Sequence, residues 1–358
     1  MTEIRFGLVG CGRIGSSADE SAATWAVADL WLPYSHAGAI KVTDQARLVA
    51  VCDIDERAVA DAKRRHGVLF GYRDFRCMLE EQQLDAVAIA TRTSQRKAII
   101  LAALEHKVRG LYCEKPLSNS LEDADEIAAA VNAAGAYFIY GTKRRYMPTY
   151  ARVRLAISEG GIGIPESTVI WMGFGSLLWT YPHAVDLASY FAFDAEVESV
   201  QADLGLAHSG SDVHLVDADP TIRSATIRFR NGMTSIILPG GGMDVEIIGR
   251  GGLVRVEGDG YQVRWRRRRE DGRDLGWLLH ESIEDRGIPS SGTQRSIEAL
   301  VKAIATGAHP GYSVDDAVRN QEVLFAMVES HLRGGIRIPM PLTRRGLTIT
   351  GRTGDLFA

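Results

Sequence analysis

Apolar residues recur along the chain with two different periods, and the change from one to the other divides it. Over the first 140 residues, short apolar runs alternate with longer amphipathic stretches, as in βαβ units around a parallel sheet. The runs at residues 4–9, 47–52, 84–90, 110–113 and 136–140 predict strands. Residues 55–66, 94–106 and 120–134 place apolar side chains at helical spacing behind an Asp or Ser, which predicts helices. From about Tyr150 the pattern turns to alternation. A helix ending at Glu159-Gly160-Gly161 precedes strand-like segments at 221–230 and 234–238, and Asn231-Gly232 between them signals a hairpin with a type I′ turn. Two more helices are expected at 293–306 and 313–332, before a Pro- and Arg-rich tail of no evident element. The expected architecture is α/β, with an N-terminal Rossmann doubly wound parallel sheet in residues 1–145. A C-terminal α+β domain, built on a large and mainly antiparallel sheet, follows in residues 146–358.

Composition narrows the class. A chain of 358 residues exceeds what one hydrophobic core usually serves, and 46% hydrophobic with 24% charged residues is ordinary for a globular protein. A net charge of -4 offers no general attraction to nucleic acid or anionic membranes. No apolar run reaches the ~20 residues of a membrane span, and the start leads directly into a strand, so a cytoplasmic protein is expected. Cys11, Cys52, Cys77 and Cys113 show neither disulfide nor metal-ligand spacing, which predicts reduced thiols and no metal site.

The first strand runs into Gly10-Cys11-Gly12-Arg13-Ile14-Gly15, a GxGxxG turn that lets a pyrophosphate approach backbone N–H groups. The second ends at Asp53, whose carboxylate suits the two hydroxyls of an adenosine ribose and opposes a 2′-phosphate. NAD is therefore the expected cofactor, although Asp53 could also serve as a helix N-cap. Asp53 follows the motif by roughly 40 positions rather than the ~20 of the simple fingerprint, so a segment is inserted. Residues 16–34, with Trp25, Trp31, Pro33 and Tyr34, read equally as a lid or subunit contact near the cofactor and as a packed surface excursion.

The segment Tyr112-Cys113-Glu114-Lys115-Pro116-Leu117, following such a Rossmann half, resembles the EKP segment of the Gfo/Idh/MocA oxidoreductases. Further matches are Arg145-Tyr146-Met147-Pro148, Pro182-His183-Ala184-Val185-Asp186-Leu187 and Glu246-Ile247-Ile248-Gly249. The resemblance implies hydride transfer between nicotinamide and a secondary alcohol or ketone of a sugar, nucleotide sugar or cyclitol, in a homodimer or homotetramer. It implies Lys115 and His183 as catalytic residues, Thr91, Glu114 and Lys115 beside the cofactor, and Arg145 among the substrate contacts; Trp179 is this chain's own further candidate for a substrate contact. Asp186, on the same helical face as His183, would orient it or cap the helix.

The chain also departs from that family. Trp179 stands where an Asp is frequent, and with Trp171, Phe174 and Tyr181 it offers either an aromatic face to a sugar ring or an ordinary packed cluster. After the fourth strand, Thr91-Arg92-Thr93-Ser94-Gln95-Arg96 replaces a turn with Pro and His. Arg92 or Arg96 would meet an anionic substrate, or remain solvated beside a Thr93 or Ser94 cap. The run Arg264-Trp265-Arg266-Arg267-Arg268-Arg269 sits beside Glu270, Asp271 and Asp274 and reads as a solvated edge strand or subunit contact rather than a nucleic-acid patch. A non-catalytic dinucleotide-binding regulator of the same fold is the alternative function.

Overall fold

The computed structural model describes residues 3–173, 175–206, 213–268 and 280–350. The chain forms two compact units: Met1–Tyr146 with Ser290–Arg319, and Met147–Pro289 with Asn320–Ala358. The first contains a six-stranded parallel sheet of β1 (Ile4–Val9), β2 (Ala46–Cys52), β3 (Phe70–Tyr72), β4 (Ala86–Ile89), β5 (Gly110–Cys113) and β6 (Tyr137–Tyr140). Their order is β3-β2-β1-β4-β5-β6. Helices α1 (Ala18–Ala22), α2 (His36–Val42), α3 (Glu56–His66), α4 (Phe75–Glu81), α5 (Thr93–Glu105) and α6 (Leu121–Ala134) intervene.

Every residue of β4 and β5 is buried, as expected of parallel strands covered on both faces. Phe6, Leu8 and Tyr112 pack on one side with Ile40 of α2 and Ala62 of α3. Val9, Leu111 and Cys113 pack on the other with Ile99 of α5 and Ile127 of α6. Asp55, Asp74 and Ser120 cap α3, α4 and α6 through their side chains, and α3 and α6 end in left-handed Gly67 and Gly135. The three-residue β3 escaped the sequence reading because its Phe-Gly-Tyr is too short and too exposed to make an apolar run.

The helix Gly292–Thr306 joins this first unit although it lies far along the chain. Its Ile297, Leu300 and Ile304 enter the core beside Tyr112 and Ile139. Gly110 makes the approach possible, since a Cβ there would lie 2.5 Å from Ile304 Cδ1. A boundary at residues 145–146 places this helix with the C-terminal half, whereas it packs in the first unit.

The second unit contains α7 (Pro148–Ser158), α8 (Pro182–Phe191) and the strands β7 (Pro165–Met172), β8 (Val197–Leu204), β9 (Leu215–Val216), β10 (Ile222–Phe229), β11 (Thr234–Leu238), β12 (Met243–Gly249), β13 (Gly252–Glu257), β14 (Gln262–Arg267), β15 (His280–Arg286), β16 (Ile338–Pro339) and β17 (Thr348–Ile349). Nine form one sheet, ordered β15-β14-β13-β12-β7-β11-β10-β8-β16. All its pairings are antiparallel except β7 with β11. Burial alternates along β7, β12 and β13, so one face of the sheet is packed and the other is more open.

Three expectations change here. The β10–β11 hairpin exists, but its loop is Arg230-Asn231-Gly232, with Phe229 N–H bonded to Met233 O. Only Gly232 of these has positive φ, at 90°, so the turn is the three-residue form closed by a left-handed glycine, not type I′. The arginine run lies on a strand flanked by β13 and β15 rather than at an edge, with Trp265 buried and Arg264 paired to Glu257 at 2.9 Å. Arg269, Glu270, Asp271 and Asp274 lie outside the described residues. The tail is anchored: β16 pairs with β8, β17 with β9, and Arg344 and Arg345 pair with buried Glu329 and Glu322 on the helix Val314–Leu332.

Candidate active site

The cofactor features of the sequence gather at the carboxyl ends of β1, β2, β4 and β5, where open α/β sheets bind ligands. At the end of β1, Gly10 has a φ of 98°, and a Cβ on it would lie 2.6 Å from the Ala90 carbonyl carbon. A Cβ on Gly15 would lie 1.9 Å from Gly10 O, so the helical segment packs directly on its own turn. Gly12 is the opposite case, since nothing lies within 4 Å of the Cβ it lacks. From Gly12 the chain enters a π-helical turn, Arg13–Ser17, that runs into α1. The first N–H groups of a helix have no intrahelical acceptors, so this turn with an open Gly12 suits a pyrophosphate. Thr91 Oγ1, just past β4, is buried with no hydrogen-bond partner among the described residues, a further polar atom suited to a ligand.

Asp53 is half-buried at the end of β2, and its carboxylate accepts from Cys11 N–H at 2.7 Å and from Asp55 N–H at 3.0 Å. It is not the N-cap of α3; that role belongs to Asp55, which accepts from Arg57 N–H. Asp53 therefore joins the glycine turn to the second strand while keeping lone pairs for other donors.

The inserted segment folds back on the first unit. Asp19 of α1 accepts from the N–H groups of Tyr34 and Ser35 and from the Ser35 hydroxyl, which closes the excursion at its far end. Ala18, Ala22 and Leu30 are fully buried, and Trp31 is 5% exposed. Lys143 lies over the rings of Tyr34 and Trp31, 3.5 and 4.9 Å from their centroids. These contacts favour the packed excursion, although Trp25 remains 37% exposed.

Glu114 and Lys115 follow β5 and are both buried. Glu114 Oε1 accepts from His36 Nε2 at 3.1 Å, and the imidazole stacks on Tyr112 with centroids 4.5 Å apart. Burial alone would push the Glu114 carboxyl up, but the hydrogen bond and charge of His36, with Lys115 and Arg96 beyond, outweigh it and bring it down to about 2. Arg96 is 4% exposed and donates to the carbonyls of Thr91 and Pro116, so it braces the loops after β4 and β5. It is neither a solvated arginine nor positioned by a Thr93 or Ser94 cap, since α5 has no side-chain cap. Arg145 is half-buried in the first unit, its guanidinium 4.5 Å from the Tyr312 ring centroid.

His183 and Trp179 belong to the second unit, and both are half-buried. Pro182 opens α8, which puts His183 in the first turn, and Asn320 Nδ2 donates to Pro182 O at 2.9 Å. Asp186 is 1% exposed within the helix, so it does not cap it. Asp219 accepts from Ser176 Oγ, Leu178 N–H and Trp179 N–H, which fixes the turn carrying Trp179. Trp171 lies under the Arg255 guanidinium, Tyr181 donates to Met172 O, and Phe174 is outside the described residues.

The sequence reading missed His36, Asp219 and the bracing role of Arg96. Ser35 before an apolar-patterned His-Ala-Gly-Ala-Ile segment was a usable helix-start signal, and Ser35 does cap α2 by accepting from Gly38 N–H. Nothing local marked Asp219, or distinguished a bracing Arg96 from a solvated or substrate-facing one.

Residues 4–142 match a family model described as an oxidoreductase family with an NAD-binding Rossmann fold. A myo-inositol 2-dehydrogenase of Thermotoga maritima is 26% identical over 247 residues, 65% of this chain and 67% of the relative. A D-apiose dehydrogenase of Paraburkholderia graminis is 33% identical over 131 residues, 37% of this chain and 35% of the relative. Among solved structures, a levoglucosan dehydrogenase in complex with NADH and levoglucosan superposes with a TM-score of 0.74 at 19% identity, covering 95% of this chain and all of that one. Among the described residues no helix is long and apolar enough to cross a membrane.

Proposed function

We propose that the chain, whose residues 4–142 match the model of an oxidoreductase family with an NAD-binding Rossmann fold, is a Gfo/Idh/MocA oxidoreductase that interconverts a secondary alcohol and its ketone on a sugar, nucleotide sugar or cyclitol ring. The observation that carries this reading is Lys115, a buried lysine directly after β5, beside a carboxylate and at the sheet edge that carries the GxGxxG turn. An ammonium there polarises a carbonyl or stabilises an alkoxide. Bound NAD supplies the hydride acceptor.

In this reading Gly10, Gly12, Arg13, Ile14 and Gly15 hold the pyrophosphate, Asp53 the adenosine ribose, and Thr91 and Glu114 flank the nicotinamide end. In the first unit Lys115 is the proposed catalytic group and Arg145 a proposed substrate contact; in the second, His183 is the proposed catalytic group and Trp179 a proposed substrate contact. The first unit binds the cofactor; the second supplies substrate contacts and, through the open face of its large sheet, a homodimer or homotetramer contact. The reaction belongs to the cytoplasm, where the four free cysteines stay reduced.

The test is absorbance at 340 nm with purified protein, NAD+ or NADP+, and a panel of myo-inositol, scyllo-inositol, glucose, xylose and UDP-N-acetylglucosamine, with matching ketones run in reverse. Turnover with NAD+ on a ring alcohol is expected. Absence of turnover with either cofactor on every member would overturn the reading.

A further inference from the structure

His36 is fully buried at the first position of α2, 78 positions before the carboxylate it touches. A carboxylate can only accept, so the proton of the 3.1 Å contact is on Nε2. Nδ1 is buried and has no hydrogen-bond partner among the described residues, so the imidazole is committed to Glu114 through one nitrogen. Its ring is held from below by Tyr112, and its backbone by the Ser35 cap and the Asp19 clamp.

Glu114 is confined from the other side as well. A Cβ on Gly141 would lie 3.0 Å from Glu114 Cδ and Oε2 and 3.1 Å from Oε1, so the carboxylate occupies the space that glycine leaves. Its second oxygen accepts from Lys115 N–H at 3.3 Å, which ties the orientation of the carboxylate to the backbone of the following lysine. The titratable and charged neighbours of the carboxylate are His36 from α2, Arg96 from α5, Tyr112 and Cys113 on the preceding β5, Tyr140 on β6, and Lys115.

We propose that His36 is a positioning residue for Lys115, acting by fixing the Glu114 carboxylate in place and in its charged form. The inserted segment thereby has a role in the chemistry, because it delivers His36 to this point. The proposal rests on Lys115 as the reacting ammonium, and its test includes a reading that does not depend on turnover.

Three variants of the full chain separate the possibilities. His36→Leu fills the space over Tyr112 without a donor; His36→Gln keeps an N–H near the position of Nε2; Gly141→Ala presses on the carboxylate from the opposite side. Each is measured for melting temperature, for NAD+ binding, for kcat and KM on the active member of the ring-alcohol panel, and for Lys115 acetylation by acetic anhydride relative to the exposed Lys107. For His36→Leu, kcat is expected to fall about tenfold or more with KM changed less than about threefold, the signature of a group acting in the transition state. Its Lys115 acetylation is expected to rise about threefold or more, because an ammonium that loses a neighbouring carboxylate charge gives up its proton more readily. His36→Gln should restore both values to within about threefold of the parent, and Gly141→Ala should shift both in the direction of His36→Leu.

Unchanged Lys115 acetylation in a folded His36→Leu protein would overturn the proposal, as would a His36→Gln protein indistinguishable from His36→Leu. If the parent turns over no ring alcohol, the proposed function fails, and the acetylation reading still decides whether His36 governs Lys115.

Discussion

The Asp53 carboxylate accepts the Cys11 N–H at 2.7 Å, so the residue at the end of the second strand holds the turn that ends the first. A single side chain thus links two cofactor features that the inserted segment separates in sequence. Asp53→Ala should do two things at once. It should leave a backbone N–H without its acceptor, costing about 1–3 kcal/mol of stability. It should also weaken NAD+ binding beyond what the stability loss explains, read by titration beside a thermal melt.

The parent protein should prefer NAD(H) to NADP(H) by on the order of 2 kcal/mol, the scale of a hydrogen bond to a charged group, with repulsion of a 2′-phosphate acting in the same direction. Dissociation constants for the four dinucleotides measure this directly, and equal values would remove Asp53 from the ribose.

Lys115→Met should lower turnover by about 100-fold or more while leaving NAD+ affinity within a few-fold, since acid–base assistance acts in the transition state. Turnover close to the parent value would take Lys115 out of the chemistry.

Asp219 and Trp179 form a graded pair. Trp179→Ala should weaken ring-alcohol binding by about 1–3 kcal/mol, the scale of a large apolar contact, with NAD+ affinity unchanged. Asp219→Ala removes one carboxylate that accepts three hydrogen bonds from the same turn. It should raise KM in the same direction and also lower the melting temperature. A Trp179→Ala protein with parental kinetics and lowered stability would mark the indole as packing alone.

The pH dependence of stability follows from Glu114, whose carboxyl is held at about 2 against its ordinary 4.5. A folded value below the unfolded one means that the carboxylate favours the folded state above about pH 4.5, and that this contribution fades as pH falls toward about 2. Denaturant midpoints between pH 7 and pH 2.5 should therefore drop more steeply for the parent than for Glu114→Gln, which should be the less stable protein at pH 7.

Much of this molecule was legible in the order of its residues, for a local reason. Strand runs such as Ile4–Val9 and Gly110–Cys113 were legible because both faces of a parallel strand need apolar side chains. The start of α6 and its end at Gly135 were legible because an orphan N–H or carbonyl at a helix end is satisfied by a near neighbour in sequence. The glycine turn and Asp53 were legible because backbone conformation and carboxylate charge belong to the residue itself. What only the tertiary structure decided are relations between distant positions. The sequence put the helix Gly292–Thr306 with the C-terminal half, while the missing side chain of Gly110 lets it pack on the first sheet. Arg96 reads in sequence as a substrate-facing or solvated arginine, but the carbonyls of Thr91 and Pro116 enclose it. His36 carried no reading in the sequence, and its role appears only where β5 places Glu114 against it, 78 positions later. Periodicity reports the side of an element that is buried, but the partner that meets a buried polar atom is chosen by how the elements pack.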